Sequence, residues 1–285
     1  MTRSTPDKPT DAGTLLQQRF GSAAVGLANS PVNPVVEKLL AHRTHRVFAD
    51  QTVPEDMLTV WLAAGFSAPS KSDLQQASIV HVCDRGLRRS IADLVPAMPW
   101  IGTCPEFFVV LADGRRITRI ADFRGKAFAN DNLDNFVAAV CDASLVLQNL
   151  IVAAESFGLG CCPISVIRDH MERVSELLGL PDRVVPIAGL CLGWPAREGF
   201  VSLRLPLEVT VHRNRYQDDT LPTLVDAYDR ERDARFRLPP DRRKYVREFG
   251  EAEFYGWSED KARQMAREER ADVGEFVRTH GFSLR

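Results

Sequence analysis

A short basic run, His42-Arg43-Thr44-His45-Arg46, is the segment of this sequence best suited to bind an anion. Two guanidinium groups three positions apart, with a hydroxyl between them, provide permanent charge and directed hydrogen-bond donors for a phosphate monoester. A basic run at a helix end is also a common partner of the helix dipole, and the largely apolar residues 35–40 precede this one. The run alone therefore indicates either a phosphate site or a solvated helix end.

The loop over residues 68–76 concentrates polar side chains suited to reading the edge of a flat ligand. It follows one predicted helix and precedes a predicted strand, and its hydroxyl, ammonium and amide groups belong to Ser70, Lys71, Ser72 and Gln75. Ordinary turn chemistry explains an isolated loop of this composition at least as well.

A second stretch, residues 158–165, leads from a predicted helix into an apolar strand. Its glycines, Gly158 and Gly160, allow the backbone to approach a planar ring closely, with exposed amide groups beside that ring. The alternative is a plain helix stop, so this stretch is not specific by itself.

Composition excludes several classes of protein. The formal net charge of −2, with both signs interspersed, gives no broad basic field, so duplex nucleic acid is not expected as a partner. No apolar run approaches the ~18 residues of a membrane span, and the polar start of the chain does not resemble a signal peptide. We therefore expect a cytoplasmic protein that does not bind membranes. The six cysteines form no Cys-x-x-Cys pair, which predicts reduced core residues and neither zinc ligands nor disulfides.

Patterns of apolar residues predict a mixed domain of strands and helices. Strands are predicted over residues 77–82, 106–111 and 184–192, and helices over residues 53–64, 87–94, 133–157 and 169–178. Asp169 is the expected N-cap of the last helix, and Gly179 its stop. The helix over 133–157 is apolar on nearly every face, which predicts burial all round, partly at a subunit boundary.

The two ends of the chain differ from this domain. Residues 1–30 are rich in small and polar residues, which predicts a flexible N-terminal arm. The domain then runs over residues 31–285 and includes a charged C-terminal extension from about residue 207. Residues 258–276 return to helical character, with Ser258 as the expected cap.

Taken in order, the motifs resemble the FMN-dependent nitroreductase and flavin reductase family, in its NADPH-linked, oxygen-insensitive branch. They are His42-Arg43-Thr44-His45-Arg46, Ala68-Pro69-Ser70 with Gln75, residues 153–160, Leu180-Pro181, residues 189–195, Arg204-Leu205-Pro206, Tyr216-Gln217, Trp257-Ser258-Glu259 and Gly281-Phe282. The resemblance runs from about Pro34 to the C-terminus. It implies an α+β fold, with a mostly antiparallel central sheet flanked by helices, in an intertwined homodimer that binds FMN at its interface.

The resemblance also implies roles for individual residues. The implied cofactor-binding residues are His42, Arg43, Thr44, Arg46, Ser70, Lys71, Ser72, Gln75, Pro163, Ile164, Ser165 and Arg204. Arg43 and Arg204 would clamp the phosphate, and Arg46 would reach the isoalloxazine as an electrostatic stabiliser. No side chain is expected to act as a catalytic acid or base, and no metal is expected. Arg247, then Arg243, are the candidates for binding the NADPH 2′-phosphate, with solvated surface charge as the alternative.

The implied activity is an NAD(P)H oxidoreductase that reduces nitroaromatics, quinones or free flavins by ping-pong hydride transfer through flavin N5. Alternatives are a specialised enzyme of the same fold, such as a reductive dehalogenase or an ene reductase, and a flavin-binding protein without turnover. An anion-binding interaction protein without flavin is a further alternative. The sequence leaves the physiological acceptor and the choice between NADPH and NADH open.

Thr44 stands where the family usually has Ser, and three further positions depart from the branch's pattern. Ser202 stands where the branch typically has a phosphate-binding Lys, which puts the affinity for FMN in question. Met98 stands where a Gln is frequent, and Pro163 where a Tyr is frequent. These two differences bear on the choice of substrate.

Overall fold

The computed structural model describes residues 12–24 and 32–285. They divide into two units. The extension unit comprises the described part of Met1–His42 together with Val201–Glu269. The sheet unit comprises Arg43–Phe200 and Arg270–Arg285.

The helices are α1 (Ala12–Phe20), α2 (Pro34–Ala41), α3 (Glu55–Phe66), α4 (Arg85–Leu94), α5 (Trp100–Thr103), α6 (Arg115–Phe123), α7 (Leu133–Ser156), α8 (Met171–Leu178), α9 (Leu207–Thr210), α10 (Leu221–Phe236), α11 (Val246–Phe249), α12 (Trp257–Met265) and α13 (Val273–Thr279). The strands are β1 (Ala77–His81), β2 (Glu106–Asp113), β3 (Gly160–Ile164) and β4 (Val184–Gly193). The predicted strands and the predicted helices over 53–64, 87–94 and 133–157 are confirmed, with ends shifted by a few residues.

The four strands form one antiparallel sheet in the order β1-β2-β4-β3. Alternate residues of β2 belong to two hydrophobic cores. Phe108 and Val110 pack in the first core, on one face of the sheet, and Phe107 and Val109 pack in the second core, on the other face. Because both faces are covered by helices, the strands are apolar at nearly every position. This confirms the predicted α+β fold with its antiparallel sheet.

Helix α7 is the centre of the first core. The side chain of its N-cap, Asn132, accepts a hydrogen bond from the Asn135 amide, and the helix ends before Gly158, which has a φ of +81°. The Trp61 indole of α3 donates to the Leu150 carbonyl at 2.8 Å, and a Cβ at Gly65 would lie 2.4 Å from the Leu150 side chain. Glycine therefore lets α3 approach α7 closely.

By length and composition α7 could cross a membrane, with a mean hydropathy of 1.9 over its most apolar 18-residue window. The sequence prediction concerned an uninterrupted apolar run, and Asp142 interrupts the apolar residues of α7. One such helix is weak evidence, since a core helix passes the same test. Here α7 packs against α3 and the sheet, which confirms burial on that side, and Val137 and Leu145 on its outer side are exposed in the single chain, so the predicted subunit boundary stays a prediction.

The N-terminal prediction needs correction. Residues 12–24 form α1 and a 3₁₀ turn, and Leu15 is buried, so they are not the predicted arm. The Ser22 amide donates to the Glu231 carboxylate of α10 at 3.0 Å. The remainder of the predicted arm, residues 1–11 and 25–30, lies outside the described residues.

Two predicted helix caps are also wrong, because the predicted cap residues bind groups that are distant in the sequence. Asp169 lies in a 3₁₀ turn before α8, where its carboxylate binds Arg270. Ser258 lies inside α12, and its amide donates to Asp229 at 3.1 Å. The predicted helix over 258–276 is divided into α12 and α13, whereas Gly179 does end α8 with a φ of 62°.

All six cysteines are free, as predicted. Cys104, Cys161, Cys162 and Cys191 are buried. Cys83 and Cys141 are exposed, so these two are not the core residues that the sequence predicted.

Candidate functional site

The basic run predicted to bind phosphate, residues 42–46, continues into an extended segment that lies along β3, an edge strand of the sheet. The His45 amide donates to the Cys161 carbonyl of β3 at 2.8 Å, and Thr44 forms a parallel bridge with Cys161. Further along, the Ala49 amide donates to the Trp194 carbonyl at 2.8 Å. These backbone bonds place residues 44–49 beside β3 and the end of β4.

Gly160 makes this close packing possible. The imidazole of His45 occupies the space that a side chain at position 160 would need, since a Cβ there would lie 2.7 Å from His45 Cγ. The sequence associated this glycine with the approach of a planar ligand. In the structure its absent side chain makes room for His45 instead.

Arg46 lies exposed beside the carboxyl end of β3. Its guanidinium is 5.5 Å from the centre of the Trp100 ring, a cation–π distance. Burial raises the pKa of the Cys162 thiol, and the nearby positive charge of Arg46 opposes that rise. Arg46 therefore places a permanent charge close to Cys162 and its chain neighbour Pro163.

The end of β3 presents mainly backbone to a ligand. The side chain of Ile164 is 1% exposed and packs in the second core, so any ligand contact of this residue would come from its backbone. Pro163 is half-buried and Ser165 is exposed. The apolar surface here comes from Pro163, and Ser165 is the exposed residue that follows the strand.

The loop that carries Ser70 and Gln75 is strained. Ser72, Asp73 and Gln75 have φ values of 50°, 57° and 53°, in the left-handed region that non-glycine residues avoid. Each such residue is disfavoured by about 1–2 kcal/mol. Strain of this kind is found most often at ligand-binding and catalytic sites, where the surrounding structure enforces it.

A buried carboxylate, that of Asp142 on α7, holds this loop in its strained conformation. It is 2% exposed, and it accepts the Lys71 amide on Oδ1 at 3.0 Å and the Gln76 amide on Oδ2 at 2.9 Å. Behind the loop, Asn135 donates to the Gln76 side chain at 3.0 Å. Asp142 was not among the residues predicted from the sequence. The available signal was an acidic residue inside a helix that is otherwise apolar on nearly every face.

Two of the predicted cationic ligands hold carboxylates in this structure. Arg43 Nη1 lies 2.5 Å from Glu198 Oε1 and donates to the Gly199 carbonyl at 3.1 Å, and Lys71 Nζ pairs with Asp134. Glu198 and Asp134 are 85% and 71% exposed. Exposed ion pairs are weak, so an anionic ligand can displace such carboxylates.

The remaining predicted residues belong to the extension unit, which contains His42, Arg204, Arg243 and Arg247. Arg204 is exposed, and its Nη1 donates to Ser202 Oγ at 2.8 Å. Arg243 pairs with Glu251 at 3.1 Å and lies over the Tyr255 ring, so it has a structural role within its unit. Arg247 is exposed on the short helix α11.

A cavity of about 1000 Å³ opens elsewhere in the sheet unit, between α4, α5 and residues 48–52. None of the predicted ligand residues lines it. Its buried arginine, Arg88, donates to the carbonyls of Val82 and Cys104 and thereby holds α4 to the sheet. Within residues 12–24 and 32–285, no group of three or more His, Cys, Asp or Glu side chains is arranged to hold a metal ion.

Residues 39–194 match the nitroreductase family, and residues 202–285 match the C-terminal domain of that family. The chain belongs to the nitroreductase family. The first match contains both the basic run and the strained loop, and the second contains Arg204.

Individual family members are similar over most of their length. The chain is 34% identical to an oxygen-insensitive NADPH nitroreductase of Salmonella typhimurium over 256 residues, which cover 89% of this chain and 100% of that protein. It is 31% identical to an FMN reductase (NADPH) of Bacillus subtilis, over 88% and 99% of the two chains. Among solved structures, the NADPH:FMN oxidoreductase from Vibrio harveyi complexed with NAD⁺ superposes with a TM-score of 0.77 at 30% identity, over 89% and 100% of the two chains.

Proposed function

We propose that this nitroreductase-family chain is an FMN-dependent NAD(P)H oxidoreductase. The observation that carries the proposal is the match of the chain to both nitroreductase family domains. Within the matched residues, Asp142 holds the strained polar loop, and β3 holds the basic run. The names of the relatives, an NADPH nitroreductase and an FMN reductase, support the same reading.

The residues present fit FMN by their chemistry. Arg43 of the sheet unit and Arg204 of the extension unit are exposed or partly exposed guanidiniums, the group best matched to a phosphate monoester. The loop of residues 70–75 offers hydroxyl, ammonium and amide donors to the polar edge of the isoalloxazine. Thr44 and His42 complete the proposed phosphate and ribityl contacts.

The chemistry that bound FMN would supply is hydride transfer from NAD(P)H to N5, followed by reduction of a second substrate in a ping-pong cycle. The chain itself orients the cofactor and stabilises charge. Arg46, with its permanent charge beside Pro163, would stabilise the negative charge of the reduced cofactor. No side chain is assigned a catalytic proton transfer.

NADPH is the proposed reductant, with Arg247 as the main ligand of its 2′-phosphate. Arg247 is exposed, whereas Arg243 is already paired with Glu251. Arg243 is therefore the second choice. The proposed acceptors are nitroaromatics, quinones or free flavins.

We further propose that the chain forms a homodimer in the cytoplasm. Val137 and Leu145 on the outer side of α7 are 46% and 42% exposed, and Val35 and Leu39 on α2 are 58% and 46% exposed. Apolar side chains repeated along a helix favour burial against another subunit. Sedimentation of the purified protein tests this, with a mass of twice 31.8 kDa expected.

One experiment tests the activity. The purified protein should show the visible absorption of FMN, and anaerobic NADPH should bleach it until nitrofurazone or a quinone restores the colour. A yellow protein that NADPH does not bleach would instead be a flavin-binding protein without turnover. A protein that is bleached but reoxidised by halogenated aromatics or activated alkenes alone would be the specialised reductase. A colourless protein that takes up no added FMN would end the proposal.

A further inference from the structure

Arg19, a buried arginine of helix α1, connects several backbone segments of the extension unit through hydrogen bonds. It is 4% exposed and lies at the end of α1. The matches to the nitroreductase family begin at residue 39, so α1 precedes the part of the chain that the family models cover. Arg19 therefore acts from a segment that the family pattern does not include.

The Arg19 guanidinium joins two separate stretches of backbone. Its Nε donates to the Leu40 carbonyl and its Nη1 to the Ser202 carbonyl, both at 2.9 Å, and Nη2 donates to the His42 carbonyl. In return, the Arg19 carbonyl accepts the Arg204 amide at 2.7 Å. One residue thus fixes the backbone on both sides, at His42 and at Arg204.

Helix α1 is itself held firmly on α10. Both oxygens of Glu231 accept the Ser22 amide at 3.0 Å, and one of them also accepts the Ser22 hydroxyl at 2.8 Å. Arg235 donates to the Gln17 carbonyl at 3.3 Å, and Leu15 is buried. The position of Arg19 is therefore fixed by contacts on either side of it in the chain.

We propose that Arg19 is a positioning residue for the phosphate monoester of FMN, which it serves by holding His42 and Arg204 in their binding conformation. The inference rests on the proposed function. Ser202 stands where the related branch has a Lys, and the Arg19 guanidinium on the Ser202 carbonyl supplies this segment with a permanent positive charge. N-terminal residues of this chain thereby become part of its cofactor site.

The test compares two ligands that differ only in the phosphate. Flavin-free protein is titrated with FMN and, separately, with riboflavin, and binding is followed by quenching of flavin fluorescence. Arg19→Met should weaken FMN binding roughly tenfold or more, the size of one lost charge-assisted contact, and change riboflavin binding less than about twofold. The matched control is Arg237→Met, which removes an exposed guanidinium paired with Asp233 on α10 and should change neither affinity.

Each outcome decides the inference. Equal losses for FMN and riboflavin would show that Arg19 supports only the fold, and unchanged FMN binding would also overturn the proposal. If Arg19→Met does not fold, Arg19→Lys and the surface change Glu231→Gln replace it, again with a loss confined to FMN expected and its absence decisive. A wild-type protein that binds neither flavin would refute the proposed function itself, which is a different result.

Discussion

The strained loop of the sheet unit and the backbone around Arg204 in the extension unit are held by groups of opposite charge. In the loop, the buried carboxylate Asp142 accepts two backbone amides. Around Arg204, the buried guanidinium Arg19 donates to three backbone carbonyls. Asp142 binds only backbone N–H groups, so the side chains of the loop remain available to the neutral flavin ring in the proposed site. Arg19 binds backbone carbonyls and so adds a positive charge near the proposed phosphate. The two parts should therefore respond differently to flavins with and without a phosphate.

The largest effect is expected for Asp142→Ala. Two backbone amides, one of them buried, would lose their acceptor, and the strained loop would lose its anchor, which should lower the free energy of unfolding by about 2–5 kcal/mol. Affinity for FMN and for riboflavin should fall together, since the loop is proposed to contact the ring. Urea denaturation and flavin titration measure the two effects. Asp142→Asn, which keeps one acceptor, should lie between wild type and Asp142→Ala; a loss for FMN alone would contradict this division of roles.

Arg204→Ala and Arg43→Ala come next. Each removes a proposed charge-assisted hydrogen bond to phosphate, which should weaken FMN binding by roughly 10- to 100-fold and leave riboflavin binding nearly unchanged. The same fluorescence titration measures both ligands. Unchanged FMN occupancy in both variants would refute the assigned clamp.

These contrasts show what could be predicted from the sequence. Strands β1, β2 and β4 and helix α7 were predicted because periodicity and glycine stops are local signals. Asp142 and Arg19 were not, because the amides and carbonyls that they bind lie up to 71 and 183 positions away. Asp169 and Ser258 were wrongly assigned as caps for the same reason, since distant partners, Arg270 and Asp229, determine their conformation.

A smaller effect is expected for substitutions of Arg46. They should change the rate of cofactor reduction, through the charge proposed to lie near the ring, and should change the affinity for FMN much less. Arg46→Gln should slow anaerobic reduction by NADPH roughly tenfold, with FMN binding changed much less, because a neutral side chain stabilises the reduced cofactor less well. Arg46→Lys, which keeps the charge, should recover most of the rate in stopped-flow measurements. If glutamine and lysine behave alike, the effect is one of packing against Trp100 and not of charge.

The smallest expected effect has the opposite sign. Glu198 is 85% exposed and forms an ion pair with Arg43, so it would compete with the proposed phosphate for this guanidinium. Glu198→Gln removes the competing charge and should tighten FMN binding roughly two- to fivefold at low salt, as expected for a weak exposed pair. The gain should shrink as salt screens the charges, whereas riboflavin binding should not change. Weaker FMN binding in Glu198→Gln would mean that the carboxylate orients Arg43 for the phosphate, which would make the pair part of the clamp and not its competitor.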